Sequence, residues 1–452
     1  MAIANSLADL FNGFSRTGRS LLEKYDLFNG LLPRKRAPLS TGALLEELAL
    51  ALLSVRGEAS GVAIASDLLA AYGEATAQER DAFLTFLANR LGPERVAVDI
   101  AIARYQKEGD AALPALMRAI EPPRQELLRR LNLAPGATVK LLAMRSDLIA
   151  LTKREPSVAV VDADFVHLFS SWFNRGFLTM KEISWDSPAS LLERVIRYEA
   201  VHDIQDWQDL RNRLDPEDRR CFAFFHPALP GEPLIFVEVA LTAAMADNVQ
   251  EILRVDRPIL RAEEASTAIF YSISNCQEGL KGISFGHFLI KQVAKDLQRS
   301  LPNLTCFATL SPMPGFRGWL HTVDSDADAL LDDKGWWTEG NDALRAMLMR
   351  RAVEYFRDAR TASGRPVDAV ARFHLGNGAR AERINWMADT SPRGLRQSAG
   401  LMVNYLYDLD SIEENHEAHA LRGIVATGAP FDKQDEDSTA PARKKAKGAV
   451  KA

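Results

Sequence analysis

A glycine-rich loop between two regular elements is the first stretch of this chain whose residues could do chemistry. The loop covers 277–286 and contains Gly279, Gly282 and Gly286. It follows an apolar run, 268–273, that predicts a buried strand, and it precedes residues with helical apolar spacing. Free N–H groups at a helix N-terminus favour an anion, so this loop could bind a phosphate. An ordinary strand-to-helix connection has the same pattern, and both interpretations stay open.

A serine at the end of the next apolar run is a second candidate. Ser311 follows 305–310, which predicts another strand, and it begins a segment that contains Pro312 and Pro314. Two prolines cannot lie within a central strand, so the strand is predicted to end before the serine. A serine in such a turn most often bonds its own backbone. No base lies beside it in the sequence, so we do not interpret it as a nucleophile that forms an acyl intermediate.

A histidine in the last third of the chain is the third candidate. His374 ends the run 369–374, which we interpret as a strand, and a Gly-Asn-Gly segment precedes a further strand from 383. This order predicts a hairpin with the histidine at the mouth of a strand. Imidazole titrates near neutrality and can donate a proton. The chain has eight histidines, and a structural hydrogen bond is their commoner role, so the residues alone leave its function open.

The composition indicates what kind of protein must position these groups. A chain of 452 residues is too long for one core, so two domains are expected. A formal net charge of −5 argues against a general nucleic-acid binder. The three cysteines form no CxxC pair, which indicates a reducing compartment and no structural zinc. No apolar run approaches the length of a membrane span, about 20 residues, so we expect a cytoplasmic protein that does not bind membranes.

The periodicity changes along the chain and predicts an α+β multidomain protein. Residues 1–155 are predicted to be an all-α helical bundle, with a capping box at Thr76 and Glu79. Residues 156–432 alternate between short strands and helices, an α/β pattern, and 433–452 is a Lys-rich tail predicted to be disordered. Predicted helices cover 43–55, 95–107, 113–120, 124–131, 139–152, 165–173, 188–198, 206–214, 288–300 and 341–362. Predicted strands cover 222–226, 234–240, 269–273, 306–310, 369–374 and 383–387.

Several long segments, in this order, resemble the malonyl-CoA decarboxylase family. The resemblance spans roughly residues 120 to 410. It implies a GNAT-like acyl-CoA-binding fold for the catalytic domain, in which a loop before a helix holds the coenzyme A pyrophosphate. It also implies conversion of malonyl-CoA to acetyl-CoA and CO2 through a thioester enolate, in fatty-acid or malonate metabolism. The segments are 268–316 with SSWFNRGFL (170–178), GEPLIFVEVALT (231–242), FHLGNGARAERINWMADTSPRG (373–394) and GLMVNYLYDL (400–409).

The same resemblance assigns roles to the candidate residues. It implies that Ser311 and His374 are the catalytic pair, with His374 as proton donor to the enolate carbon. Ser284 stands where the animal members carry glutamate, which weakens any mechanism that needs a carboxylate there. We expect Tyr405 and Tyr407 to be partners of His374, although both could be ordinary core aromatics. The implied substrate-binding residues are Lys281, Gly282, Ile283, Ser284, Phe285, Gly286, His287 and Ser272.

The proposed reaction limits the expected cofactors and partners. The thioester is itself the electron sink, so neither a metal nor biotin is expected, and preorganised donors can supply most of the catalysis. Besides malonyl-CoA, the partner expected from the family is a second copy of the chain, bound through the helical domain in a homotetramer or dimer. Three other functions remain open: an acyl-CoA-dependent acyltransferase of the GNAT type on the same fold, an acyl-CoA sensor without catalysis, and a polyketide-type decarboxylase that acts on a carrier-tethered malonyl group.

Overall fold

The chain forms two compact units. The computed structural model describes residues 40–55, 57–283, 289–333, 335–337, 342–362 and 364–439. The first unit contains the described residues up to Phe177 together with His226–Pro230 and the described residues from Gln277 to Ile283, and the second contains the remaining described residues. Among the helices that the structure describes, none is long and apolar enough to cross a lipid bilayer.

The first unit is helical, as the spacing of its apolar residues predicts. The capping box before the third helix is confirmed: Thr76 N–H donates to Glu79 Oε2 over 2.9 Å, and Glu79 N–H donates to Thr76 Oγ1 over 3.3 Å. The helices are α1 Thr41–Ser54, α2 Glu58–Glu74, α3 Ala77–Arg90, α4 Arg95–Glu108, α5 Leu113–Ile120, α6 Pro123–Leu131, α7 Ala137–Thr152 and α8 Ala159–Trp172.

Two features of this unit differ from the sequence-based description. Helix α2 is not among the predicted helices, because its interior glycines and small residues weaken the helical spacing of its apolar residues. The helical unit also continues beyond residue 155, since α8 packs with α6 and α7. Arg124 on α6 pairs with Asp164 on α8, and both side chains are buried.

In the part of the chain that the structure describes, the second unit is a mixed eight-stranded sheet with helices. The strands lie in the order β1-β2-β3-β4-β5-β8-β6, and β7 also pairs with β8. Only β4 and β5 are parallel among these pairs. The strands are β1 Thr179–Ile183, β2 Arg219–Phe225, β3 Pro233–Thr242, β4 Thr267–Asn275, β5 Cys306–Thr309, β6 Ser311–Pro312, β7 Arg380–Asn385 and β8 Met402–Leu406.

The helices of this unit mostly follow the prediction. The second-unit helix predicted for 341–362 ends at Asp358, and residues 433–439 of the predicted disordered tail are helical instead. The helices are α9 Ala189–Tyr198, α10 Trp207–Leu214, α11 Val249–Leu253, α12 Leu289–Ser300, α13 Phe316–Val323, α14 Ser325–Ala329, α15 Asp342–Asp358, α16 Ala369–Gly376, α17 Pro392–Ser398, α18 Ile412–Arg422 and α19 Ala429–Thr439.

Strand β4 is irregular at the point where it leaves β5. Its pairing with β3 skips Tyr271, which is therefore the extra residue of a β-bulge. The parallel pairing with β5 ends at Phe270 opposite Thr309, although β4 continues to Asn275. The two strands therefore part immediately before Ser311.

The strand predicted for 369–374 is wrong, because these residues form helix α16. The Asp368 side chain accepts hydrogen bonds from the backbone N–H groups of Val370 and Ala371, each over 2.9 Å, and so caps the helix. The prediction that the chain leaves the sheet before Ser311 is also wrong. Ser311 pairs with Val403 in the short strand β6, and its proline is tolerated because the strand is only two residues long.

Candidate active site

Strand β6 and helix α16 bring the predicted pair into contact. Ser311 Oγ lies 3.0 Å from His374 Nε2. Both side chains are buried, with 6% of Ser311 and 2% of His374 exposed. A serine and a histidine that are 63 residues apart in the chain therefore form one hydrogen-bonded pair inside the sheet-containing unit.

One buried carboxylate contacts both of the segments that carry these two side chains. Asp368, which caps α16, accepts through Oδ2 from the Tyr355 hydroxyl over 3.0 Å and from the Gly315 N–H over 3.4 Å. Gly315 follows Ser311 in the turn that leaves β6. The same aspartate therefore holds the helix that carries His374 and the turn that follows Ser311.

The other end of α16 is fixed by a tight turn. Gly378 has a φ of 82°, a left-handed conformation that glycine adopts without strain. A Cβ at this position would overlap the carbonyl oxygen of Ile412. The Ala379 N–H donates to His374 O over 3.1 Å, so the chain turns back directly beneath the histidine.

Two tyrosines contact the imidazole. His374 Nδ1 lies 2.8 Å from Tyr407 Oη. The Tyr405 ring stacks on the imidazole, with centroids 4.5 Å apart and planes 24° apart. Both tyrosines are 1% exposed, so His374 has a hydrogen-bond partner on each ring nitrogen and a fixed ring orientation.

The hydrogen bonds indicate which nitrogen carries the proton. The Ser311 hydroxyl donates to Thr309 Oγ1 over 3.0 Å, so the serine oxygen is left to accept a hydrogen bond. His374 Nε2–H then donates to Ser311, and Nδ1 accepts from the Tyr407 hydroxyl. The Asn377 side chain is a further hydrogen-bond partner of Tyr407.

Burial makes the histidine neutral at ordinary pH. It lowers the pKa of His374 from 6.5 to about 3, because no acidic group compensates for the loss of hydration of the imidazolium ion. Burial also raises the pKa of Tyr407 well above 10, although the hydrogen bond with Asn377 opposes that effect. The site therefore consists of a neutral imidazole between two neutral hydroxyl groups.

The structure places Ser272 in a different set of contacts. Its hydroxyl lies 2.8 Å from each carboxylate oxygen of Glu199, and Ser274 Oγ donates to the same carboxylate over 3.2 Å. Glu199 Oε1 also accepts from the backbone N–H groups of Val201 and His202, each over 2.8 Å. Ser272 is 1% exposed, and its hydroxyl proton is engaged by Glu199 rather than by the Ser311–His374 pair.

The glycine-rich loop begins in the helical unit, and its first glycine has a packing role. A Cβ at Gly279 would overlap the backbone of Leu142 on α7. The carbonyl of Gly279 accepts from Arg145 Nη1 over 2.7 Å, and Arg145 Nε lies 2.9 Å from Asp162 Oδ1. Gly279 is therefore needed for close packing against α7.

The loop residues predicted to bind substrate differ in exposure. Lys281 and Gly282 are exposed, whereas Ile283 is 7% exposed and belongs to the core. Gly282 has a φ of 79°, with open space where a Cβ would lie. The other predicted loop residues, Ser284, Phe285, Gly286 and His287, lie outside the described residues.

Sequence reasoning missed three residues that complete this site. They are Thr309, which is fully buried beside Ser311, Asp368, which caps α16, and Asn377, which bonds Tyr407. Asp368 precedes an apolar run and is a strong N-cap type, a signal that would have indicated a helix there. No comparable local signal marks Thr309, because its contact with Ser311 depends on how β5 and β6 are arranged.

Comparison with known families gives matches on both parts of the chain. Residues 176–447 match the family model described as the malonyl-CoA decarboxylase C-terminal domain. Residues 91–173 match the model described as the malonyl-CoA decarboxylase N-terminal domain. The C-terminal match includes every residue of the Ser311–His374 site.

Individual relatives agree with the family models. The mitochondrial malonyl-CoA decarboxylase of Anser anser anser is 35% identical over 388 residues, which cover 75% of this chain and 76% of the relative. The enzyme of the same name from Rattus norvegicus is 34% identical over 398 residues, covering 77% of this chain and 80% of the relative.

Two solved bacterial structures are also similar. Malonyl-CoA decarboxylase from Rhodopseudomonas palustris is 50% identical with a TM-score of 0.83, and covers 88% of this chain and 100% of its own. Malonyl-CoA decarboxylase from Agrobacterium vitis is 51% identical with a TM-score of 0.81, and covers 86% of this chain and 99% of its own.

Proposed function

The chain belongs to the malonyl-CoA decarboxylase family, and from this premise we propose that it converts malonyl-CoA to acetyl-CoA and CO2 at the Ser311–His374 pair. The observation that carries this assignment is the buried 3.0 Å contact between Ser311 Oγ and His374 Nε2. Members of the family are carboxy-lyases, so the reaction breaks the bond between the carboxylate carbon and the carbon next to the thioester.

The balance of the reaction sets the task of the site. When CO2 leaves, the bonding electrons remain on the substrate as a thioester enolate. The enolate carbon must then take up one proton to give the acetyl group, and this proton comes ultimately from solvent. The protein must therefore orient the carboxylate, stabilise the enolate and deliver a proton to carbon.

His374 is the group that we assign to the proton delivery. In the free protein it is neutral, because its pKa is about 3. The negative charge of a bound malonyl carboxylate, and then of the enolate, raises the pKa of a nearby imidazole. The Tyr407 hydroxyl can then pass its proton to Nδ1 and take a replacement proton that comes from solvent, while the proton on Nε2 passes to the enolate carbon, so that neither an imidazolate nor a tyrosinate remains.

Ser311 and Tyr407 keep the imidazole in the tautomer that this step requires. Ser311 accepts from Nε2–H and Tyr407 donates to Nδ1, so the transferable proton is on the nitrogen that faces the serine. If the substrate displaces the Ser311 hydroxyl from His374, the Nε2–H group of His374 can donate its hydrogen bond to the substrate instead. Ser311 then becomes available to bind the departing carboxylate.

The shape of the sheet supports the GNAT-like description of the catalytic unit. Strand β4 bulges at Tyr271 and separates from β5 beyond Thr309. Within the described part of the chain, the backbone groups of β4 beyond this point have no partner strand on the β5 side. An extended acyl-CoA arm has amide groups that can bond such an edge, as an added strand does.

Mass spectrometry of the products tests the reaction class directly. Pure protein is incubated with malonyl-CoA and EDTA, without any acyl acceptor. Formation of acetyl-CoA and CO2 is the expected result and distinguishes a decarboxylase from an acyltransferase that needs an amine. Recovery of unchanged malonyl-CoA with tight binding would instead favour the acyl-CoA sensor.

Gly282→Val is expected to impair coenzyme A binding without unfolding the protein. Valine is strained at a φ of 79°, and the change would move the loop backbone that we propose contacts the pyrophosphate. We expect a raised KM for malonyl-CoA or a loss of activity, with an unchanged circular dichroism spectrum. Unchanged kinetics would show that the phosphates bind elsewhere.

The helical unit has an apolar surface that we propose binds a second copy of the chain. On α4, Val96 and Ile100 are 63% and 64% exposed, and on α5, Met117 and Ile120 are 61% and 49% exposed. Only Ala101 is buried on α4, and α5 has no buried residue. Exposed apolar side chains grouped on two neighbouring helices are typical of a surface that contacts another protein.

Ile100→Asp combined with Met117→Asp is expected to dissociate the assembly. Each change places a charge on a surface that would be desolvated between subunits. Size-exclusion chromatography with light scattering measures the mass, and Leu421→Asp is the control because Leu421 is 82% exposed in the other unit. A double variant with the mass of the parent would place the contacts elsewhere.

A further inference from the structure

A cavity of about 350 Å³ lies in the sheet-containing unit, and neither catalytic residue lines it. Its walls come from the edge strand β7, helix α15, the segment before α11 and helix α19. This volume is at the lower end of the range for ligand pockets and suits a small molecule rather than a coenzyme A thioester. The residues that define it are Asp247, Arg345, Met349, Arg383, Asn385 and Trp386.

Two arginines in this cavity have no acidic partner among the residues that the structure describes. Arg383 Nε lies 3.4 Å from the Asn404 amide oxygen, and its buried Nη2 has no hydrogen-bond acceptor within the described chain. The Arg345 guanidinium lies 6.0 Å from the centre of the Trp386 ring. Asp247 is the one acid among the described residues of the lining, so two positive charges and one negative charge leave an excess of one positive charge there.

We propose that this cavity is a second binding site, for a short-chain dicarboxylate. The buried Nη2 of Arg383 lacks an acceptor among the described residues, which is costly, and a carboxylate supplies the bidentate acceptor that the planar guanidinium fits. The two arginines come from different elements, so each can bind one carboxylate of a dicarboxylic acid. Met349 and Trp386 provide the apolar surface for the carbon chain between them.

A hydrogen-bonded path connects the new site with the catalytic serine. Asn404 accepts from Arg383 and from Asn385 at its oxygen, and its amide nitrogen donates to Thr309 O over 2.9 Å. The Thr309 hydroxyl in turn accepts from Ser311. The site is therefore separate from the catalytic pair, and the buried Asn404 amide connects it with β5, whose Thr309 hydroxyl contacts Ser311.

Calorimetric titration of the full-length protein with malonate at constant ionic strength tests the site. We expect saturable binding that weakens at least about tenfold in Arg345→Gln and in Arg383→Gln, which is the loss of one charge-assisted hydrogen bond. Arg350→Gln is the matched control, because Arg350 is exposed on the same helix and does not line the cavity. Binding in His374→Asn is expected to equal that of the parent, which excludes the catalytic pair as the place of binding.

Three results of these experiments would overturn the proposal. Malonate binding that is the same in both cavity variants would show that the arginines are not its ligands. Inorganic phosphate that binds as tightly as malonate and succinate would indicate a general anion site. A KM for malonyl-CoA that rises tenfold in both variants would make the cavity part of the substrate site, whereas we expect Arg345→Gln to change kcat and KM by less than about twofold. The titration does not depend on turnover, so its failure and that of the proposed reaction are distinguishable.

Discussion

Replacing His374 by asparagine is expected to lower kcat by about 10² to 10⁴-fold, which is the usual contribution of a general acid. The asparagine side chain keeps a similar size and some hydrogen bonding with Ser311 and Tyr407, but it cannot transfer a proton to the enolate carbon. Coenzyme A affinity is expected to persist, because the glycine-rich loop is a separate segment of the chain. Steady-state kinetics and a coenzyme A titration measure the two quantities.

Ser311→Ala shows whether the serine and the histidine act as one unit. This variant removes the acceptor of Nε2–H and the donor to Thr309, so kcat is expected to fall as well. If the serine only holds the histidine, the double variant should be little worse than the worse single variant. Losses that multiply would instead indicate an independent role for Ser311, such as binding of the carboxylate.

Tyr407→Phe removes the donor to Nδ1 and tests the proposed tautomer. Nitrogen NMR of the histidine side chains is expected to show the proton of His374 on Nε2 in the parent and a mixture of tautomers in the variant.

A His374→Asn protein within about threefold of the parent in kcat would eliminate His374 as the acid, since the expected loss is at least about 10²-fold.

Helices and strands were predicted best from the sequence where local apolar spacing and capping residues determine them. Most helices of the first unit, the capping box at Thr76, and strands β2 to β5 lie close to the predicted positions. The sequence analysis did not predict strands β1 and β8. It also assigned 369–374 to a strand, although these residues are helical. The run AVARFH is apolar enough for a strand, and the contact that decides for a helix is the cap by Asp368.

The candidate site was only partly accessible from the sequence. Ser311, His374 and the two tyrosines were identified, and the structure brings all four together. The low pKa of His374 could not be predicted, because it comes from complete burial by elements that are distant in the chain. Thr309 and Asp368 are common residue types whose roles follow only from tertiary contacts. Ser272, by contrast, was selected by resemblance, and its hydroxyl is bonded to Glu199.

The burial of His374 also predicts a loss of stability in acid. Its pKa is about 3 in the folded protein and 6.5 as the ordinary value expected after unfolding. Between these values the unfolded chain binds a proton that the folded protein does not, so the free energy of unfolding falls as the pH falls. The contribution of the neutral histidine to the free energy of unfolding is fully present above pH 6.5 and is lost progressively as the pH falls toward 3. The total loss is about 5 kcal/mol.

Denaturant unfolding of the parent and of His374→Asn at several pH values isolates this contribution. Other titrating groups are common to both proteins, so the difference in their free energies of unfolding reports the histidine. We expect the parent's advantage over the variant to shrink by about 2 kcal/mol between pH 7 and pH 5. His321→Asn is the control, because that histidine side chain is 69% exposed. A difference between parent and His374→Asn that stays constant over this range would show that His374 is not held neutral in the folded protein, and the proton would then already be present before substrate binds.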